Sequence, residues 1–420
     1  MLLIKNGRVY NSKGNASDLL IKDGKIAAVS ENIRETGDMT VLNASGMIIA
    51  PGFVDMHVHF RDPGFEYKED IFTGAAAAAA GGATTCCCMP NTLPVADNAD
   101  IIKYIVGKAK QALVRVLPYG AVTVGQNGKA LTDFAALKDA GAIALSDDGN
   151  PVQSADLMRR AMRLARDCGL MIVSHCEDAE LVKDFAVNEG KVSRKLGIPG
   201  RPAIAEEIMV ARDAMLAAET GARVHIAHVS ASGSVSIIRK AKAAGVNITA
   251  ETCPQYFTLT EDEVLRYESL ARVNPPLRTE KDVEAIVGGL ADGTIDAIAT
   301  DHAPHAADEK ARPLQEALSG MIGLETSLAV TLTSLYHTGK LDMERIVALM
   351  SENPARLLGL DAGTLLTGAI ADIVVFDPNE EWTVYPDSFI SKARNTPFGG
   401  MKLRGKVKFT IAKGKVVYNS

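Results

Sequence analysis

Two histidines, His57 and His59, close the apolar run IIAPGFVDM. On an extended strand residues i and i+2 point to the same side, so both imidazoles can face one ligand. Four more residues of metal-ligand type end other apolar runs: Asp148 ends AIALSDD, His175 ends LMIVSH, His228 ends RVHIAH and Asp301 ends DAIATD. A His/Asp set without thiolates suits zinc, or a divalent metal of similar preference, in a catalytic site. Six ligands are more than one tetrahedral ion takes, and they suit two ions roughly 3.5–4 Å apart bridged by a carboxylate. A single ion stays open.

Taken singly, each of these residues has a plainer explanation, because a strand-end histidine is commonly just a hydrogen-bonded structural residue. Their placement at the ends of separate apolar runs is what favours the metal. Asp147 neighbours Asp148, and strand neighbours point opposite ways, so only one of the two is expected to reach an ion. His225 lies three residues before His228 and should face away from it; His337 sits in a helical stretch, and both read as structural. The run Cys86–Cys88 lies in a strand of small residues, where cysteine acts as a compact hydrophobe. Cys176, next to His175, should face away from the metal.

The elements that must position these residues follow from patterning. From about Pro51 to Leu360, apolar strand candidates such as GATTCCCMP, RVLPYGAVT and NITAETCP alternate with helix-like segments such as DIFTGAAAAAAGG and SADLMRRAMRLARDCG. The count approaches eight strand–helix units, which predicts an α/β fold with a (β/α)8 TIM-type barrel. An open doubly wound sheet is the alternative, and the absence of a Gly-rich phosphate turn after the first strand disfavours it. In a barrel the catalytic residues gather at the C-terminal strand ends, where all six candidates fall. Both chain ends read as β: LLIKNGRVY, DLLIKDGKIAAVS and MTVLNAS at one, ADIVVFDP and KVKFTIAKGKVVYNS at the other. Asn-Gly and Asp-Gly mark hairpin turns there. The expected division is 1–50 and 363–420 as two parts of one small β-sandwich, and 51–362 as the barrel.

Composition narrows the partners. Of 420 residues, 45 are Lys or Arg and 51 are Asp or Glu, a formal net charge of −6 with no basic block, which argues against nucleic acid and anionic membrane. No apolar run is long enough to span a bilayer, and the N-terminus does not read as a signal peptide. Six cysteines, three of them consecutive, make a poor disulfide framework, so a reducing cytoplasm is expected.

Further segments carry a family resemblance: PGFVDMHVHFRDPGFEYKEDI, GGATTCCCMPNTLP, ALSDDGNPV, SHCED, HIAHVS, ETCPQYF, RVNPPLR, TDHAPHAADEK and SGMIGLET. Through nearly its whole length the chain resembles dihydroorotase, in the bacterial type I branch of the amidohydrolase superfamily. The resemblance implies the reversible cyclisation of N-carbamoyl-L-aspartate to L-dihydroorotate, the third step of de novo pyrimidine synthesis. It implies zinc, with His57, His59 and Asp301 on one ion, His175 and His228 on the second and Asp148 as the bridge; many relatives use a carbamylated lysine for that bridge. Asp301 would also be the general acid and base that serves a metal-activated water.

The substrate carries a carboxylate and needs a fixed cation. Arg61 lies two beyond His59 and, if the chain stays extended, projects the same way with a fork that can hold a carboxylate bidentately. Asn91 and His305 resemble the family's other carboxylate contacts, and Asn274 resembles the residue at the ring or carbamoyl group. Backbone groups near Ser319 and Gly320 would also meet the ring, although the family's usual Ala-Pro-Phe-Gly reads Ala317-Leu318-Ser319-Gly320 here. A homodimer is the expected assembly, and association with aspartate transcarbamoylase is left open. Two other readings compete. Dihydropyrimidinase, hydantoinase and allantoinase share the barrel and metal but need no arginine for a substrate carboxylate. Non-catalytic dihydroorotase-like partners of aspartate transcarbamoylase lose metal ligands, and all six are present here.

Overall fold

The computed structural model describes residues 1–11, 16–183 and 185–420. Among these, five strands open the chain: β1 (Leu2–Val9), β2 (Ala16–Lys22), β3 (Lys25–Ser30), β4 (Thr40–Asn43) and β5 (Ile48–Pro51). Nine short strands follow: β6 (Phe53–Val58), β7 (Ala83–Cys88), β8 (Arg115–Pro118), β9 (Ile172–Ser174), β10 (Val187–Asn188), β11 (Gly200–Arg201), β12 (Val224–Ile226), β13 (Ile248–Thr252) and β14 (Ala297–Ile298). The chain closes with β15 (Ile373–Thr383), β16 (Lys402–Ala412) and β17 (Lys415–Asn419).

The two ends of the chain meet in one mixed sheet of order β17-β16-β15-β5-β1-β2-β3, with β4 on β1. Strand β5 is the junction. It pairs in parallel with β1 and antiparallel with β15, Ile373 opposite Pro51 and Val375 opposite Ile49. The expected sandwich is therefore better described as one continuous sheet, because the halves join through backbone hydrogen bonds along β5. Its own buried cluster includes Leu2, Ile4, Leu19, Ile21, Ile49, Ile373, Val375 and Ile411. Of the two turn signals, Asp23-Gly24 does make a hairpin, with both residues at positive φ between β2 and β3. Asn6-Gly7 does not turn the chain. It makes an irregularity inside β1, where the register with β2 shifts between Ile4 and Gly7. A Cβ on Gly7 would lie 2.4 Å from Ile49 Cδ1, so this glycine is needed for the close approach of β1 and β5.

The middle of the chain forms parallel pairs β6–β7–β8 and β9–β12–β13–β14. Single parallel bridges join the two groups: Gly120 to Leu145, Leu145 to Ile172, and Val58 to His302. The pairing thus returns to its start through eight segments, the ring order expected of a (β/α)8 barrel. AIALSDD holds the fourth place without being a regular strand. Leu145 N bonds Met171 O at 2.9 Å and Ser146 N bonds Gly120 O at 2.9 Å, after which the chain turns inward with Asp147 and Asp148.

The helices between the strands lie where the apolar period put them. The helix Ala155–Cys168 buries Leu157, Met158, Ala161, Met162 and Ala165, starts on a Ser154 cap and stops at left-handed Gly169. The helix Ile71–Ala80 buries Ala75, Ala77, Ala78 and Ala79, and Thr410 Oγ1 of β16 donates to Ala79 O at 2.6 Å, so the alanine run allows the terminal sheet to approach closely. The stretch between β15 and β16 leaves the sheet: Ser391 Oγ donates to Glu69 Oε2 at 2.5 Å, and Asn395 reaches the loops after β14. Among the described residues, no helix is long and apolar enough to cross a membrane.

Candidate active site

Strand β6 is buried on both faces, so its polar residues must find partners inside. Asp55 Oδ1 accepts from His57 N at 3.1 Å and from Thr300 N at 3.2 Å, which fastens β6 to the exit of β14. His57 is fully buried, and its Nδ1 lies 2.7 Å from Glu251 Oε1 of β13. A carboxylate only accepts, so Nδ1 carries the hydrogen and Nε2 is turned toward the two aspartates. That Nε2 has no hydrogen-bond partner, and it sits 3.5 Å from both Asp148 Oδ1 and Asp301 Oδ1. His59 follows one residue beyond the strand. Its Nδ1 is 2.9 Å from Asn91 Oδ1, and its Nε2 is 3.0 Å from Asp301 Oδ1 and 3.5 Å from Asp148 Oδ2.

The other ligand candidates come from the far side of the ring. His175 Nδ1 and His228 Nε2 each lie 3.3 Å from Asp148 Oδ1 and 2.9 Å from one another. The outer nitrogen of His175 faces Glu177 Oε2 at 3.5 Å. Asp147 behaves as its neighbour's opposite: its Oδ1 accepts from Val122 N at 2.8 Å and Thr123 N at 3.1 Å, holding the turn after β8. His225 points away too, 2.8 Å from Thr249 Oγ1 and 3.3 Å from Glu251 Oε2, so it steadies the carboxylate that orients His57. His337 bonds Pro378 O at 2.8 Å and takes no part.

The electrostatics keep the carboxylates charged. Burial would raise the pKa of Asp148, but His57, His175 and His228 outweigh it and hold the carboxyl well below its usual range. Asp301 is lowered against the same burial penalty, chiefly by His59. Burial likewise opposes ionisation of Glu251, and His225 and His57 bring it down to about 2. Three non-glycine residues here have left-handed backbones: Arg61 at φ 61°, His228 at φ 34° and Asp301 at φ 49°. Such conformations cost energy and persist where the surroundings fix them, as they do at ligand-holding sites.

Among the described residues, two groups have ligand atoms that all lie within 4.8 Å of one another: His57, His59 and Asp301, and His57, Asp148 and His228. His57 thus belongs to both, whereas the family resemblance implies it for the first ion alone. The donor set is imidazole and carboxylate, and three of the histidines, His57, His59 and His175, present one nitrogen inward while the other meets an oxygen. This is how proteins hold histidine ligands to a divalent ion. The unpartnered Nε2 of His57, aimed between two carboxylates, fits the same group.

A cavity of about 190 Å3 opens on this rim. Its wall includes His59, Arg61, Asn91, Asp148, His175, His228, Asn274, Asp301, His305, Ser319 and Gly320, so every residue singled out from the sequence reaches it except His57, which lies behind. Arg61 gets there by a different route than expected. The chain stops being extended and turns left-handed at Arg61, yet its side chain still lines the cavity, where Nε donates to Pro304 O at 3.3 Å. Burial lowers this guanidinium to about 10, and among the described residues it forms no ion pair with a carboxylate. His305 Nε2 is engaged by Ser319 O at 2.9 Å, and burial and Arg61 hold the imidazole neutral with a pKa of about 3. Gly320 sits at φ 140°, and a Cβ there would meet Ala303 Cβ at 2.8 Å and His305 Nε2 at 3.0 Å.

Size alone does not pick out this cavity. A space of about 430 Å3 adjoins it and shares Gly149 and Asn274, and one of about 290 Å3 lies against the terminal sheet at Trp382 and Tyr418. Neither gathers ligand-type side chains on one point. The cysteines stay apart: all six are free, and burial in β7 pushes the thiols of Cys86, Cys87 and Cys88 up. Sequence reasoning missed Glu251, Glu177, Arg201 and Asn395. Glu251 was visible in principle as a charge on the same strand face as Thr249, and Glu177 as an acid two residues past His175. Arg201 Nη1 bonds both oxygens of Glu177 at 2.8 Å, and Asn274 Nδ2 donates to Glu177 Oε2 at 3.0 Å.

Comparison with known proteins agrees with this geometry. The Dihydro-orotase-like family matches residues 46–234. A dihydroorotase of Citrifermentans bemidjiense is 51% identical over 423 residues, covering 100% of both chains. A dihydroorotase of Clostridioides difficile is 49% identical over 423 residues with the same coverage. Among solved structures, an L-hydantoinase (dihydropyrimidinase) from Arthrobacter aurescens superposes with a TM-score of 0.89 at 28% identity, covering 100% of this chain and 96% of the other. A dihydropyrimidinase from Brevibacillus agri gives a TM-score of 0.87 at 23% identity over 99% and 95%, which carries the fold only.

Proposed function

The chain belongs to the dihydroorotase family, and on that premise we propose that the rim cavity interconverts N-carbamoyl-L-aspartate and L-dihydroorotate, in the manner of the type I branch and at the C-terminal face of a (β/α)8 barrel. His57, His59 and Asp301 would hold one zinc ion, His175 and His228 a second, with Asp148 shared between them. When bound, the metal supplies Lewis acidity for the amide carbonyl and a water of lowered pKa.

The chain's own groups do the rest. In ring opening, Asp301 takes a proton from the attacking water as the new C–O bond forms at the ring amide carbonyl. It then delivers that proton to the ring nitrogen as the C–N bond breaks; in cyclisation the order reverses. Its depressed pKa keeps it a carboxylate ready to accept. Arg61 holds the substrate carboxylate through paired charge-assisted hydrogen bonds. Asn91 and His305 flank that carboxylate. Asn274, fixed by Glu177 and Arg201, faces the ring or carbamoyl end, and the chain at Ser319 and Gly320 forms the opposite wall.

The observation that carries this reading is Arg61, a guanidinium in the wall of a carboxylate-and-imidazole cavity with no protein carboxylate paired to it. A cyclic amide without a carboxylate leaves that guanidinium with no direct ion-pair partner. A substrate panel tests the reading: dihydroorotate should be hydrolysed with a kcat/KM at least about a hundredfold above 5,6-dihydrouracil or allantoin, a difference of about 2.7 kcal/mol in transition-state binding. Faster hydrolysis of either neutral compound would assign the site to the dihydropyrimidinase or allantoinase type instead.

A further inference from the structure

We propose that Asn395, delivered by the C-terminal segment between β15 and β16, is a positioning residue for the substrate carboxylate. It would act by tying the loop that carries His305 to the loop that carries Gly320. The inference rests on the dihydroorotase reading of the cavity.

Asn395 is 3% exposed. Its Oδ1 accepts from His305 N at 3.2 Å, and its Nδ2 donates to Ala303 O at 3.0 Å and Gly320 O at 3.1 Å. Its backbone oxygen accepts from Ile322 N at 2.9 Å. The side-chain bonds all go to the two site loops and none to its own segment. An asparagine that merely stabilised the 384–401 stretch would bond within it. The tie adds side-chain bonds to a backbone contact between two loops, where Ala303 N donates to Met321 O at 2.9 Å and His302 bridges Met321. Those loops touch closely where the substrate wall forms: His305 Nε2 bonds Ser319 O, and Gly320 has room for no side chain against Ala303.

A second hold on the same loop makes the role separable from folding. Lys310 Nζ donates to Leu318 O at 2.8 Å and Gly320 O at 3.0 Å. Loss of Asn395 should therefore let the His305 and Gly320 walls drift apart without unravelling the loop. Among the described residues, the bonds of Asn395 go to His305, Ala303, Gly320 and Ile322 and to none of the six metal-type residues, so metal binding should be unaffected. The consequence is a carboxylate pocket that is complete at Arg61 and loose at the opposite side.

The test uses Asn395→Ala, which removes all three side-chain bonds. It also uses Asn395→Asp, which keeps the volume and the bond from His305 N but sets a carboxylate oxygen against two carbonyls. Each is purified, its metal content measured, and its kinetics followed with dihydroorotate. KM should rise about tenfold in both, with kcat within about threefold and metal content equal to wild type. An unchanged KM in folded, active variants would overturn the inference and leave the dihydroorotase reading intact. Loss of kcat together with metal, or failure of both variants to fold, would show that Asn395 serves the metal centre or the fold, and would overturn it too. A wild-type protein that does not turn over dihydroorotate would sink the reading and the inference together.

Discussion

Asp301→Asn should bind metal, remain folded and lose at least about a thousandfold in kcat for dihydroorotate, within the range expected for removing a positioned general acid–base group. The substitution is isosteric and leaves an amide oxygen where the carboxylate oxygen sits 3.0 Å from His59 Nε2. Asp301 has φ 49°, and asparagine tolerates the left-handed region as well as aspartate does, so the backbone has no reason to move. What the amide cannot do is accept the proton of the attacking water and return it to the ring nitrogen. Steady-state kinetics beside metal analysis reads this directly. A variant that keeps more than about a tenth of wild-type kcat would remove Asp301 from the acid–base role.

The second large effect falls on Arg61. Arg61→Met should raise KM for dihydroorotate by about a hundredfold or more, since two charge-assisted bonds to the substrate carboxylate are lost. Methionine is unbranched like arginine, so the cost of φ 61° changes little and the loss reports on the guanidinium. Arg61→Lys should recover only part of the affinity, because a point charge cannot match the fork of a carboxylate. Discrimination against 5,6-dihydrouracil should shrink in step. KM for dihydroorotate within about threefold of wild type in Arg61→Met would mean that the carboxylate is held elsewhere.

The two effects show which parts of the site could be read from the chain. Strand periodicity alone placed six ligand-type residues at strand ends, and it separated Asp148 from Asp147 and His228 from His225, because alternation along a strand is a local rule. The same rule failed at Arg61. The chain leaves the extended state two residues after His59, and the side chain reaches the cavity only through a left-handed turn that no local pattern announces. Asn6-Gly7 failed for a related reason: the dipeptide favours a turn, but the tertiary demand for β1 to lie against Ile49 made it a strand irregularity. AIALSDD reads as a strand from its apolar run, but it holds its place in the ring through one paired residue, Leu145, and forms no regular strand. Glu251, Arg201 and Asn395 act through contacts that join distant parts of the chain. Asn395 lies 90 residues from His305, and its role exists only once the C-terminal segment has folded back onto the ring.

His57 and its five partners matter to this account only if they hold a catalytic metal, and that is open to one direct measurement. Protein stripped with a chelator should be folded and inactive on dihydroorotate. On titration with zinc, turnover should return in proportion to bound metal and level off between one and two equivalents per chain, which also fixes whether Asp148 is shared by two ions. Stripped protein that hydrolyses dihydroorotate at the wild-type rate, or zinc that binds without restoring turnover, would contradict the assignment of the histidine–aspartate rim as the catalytic metal centre.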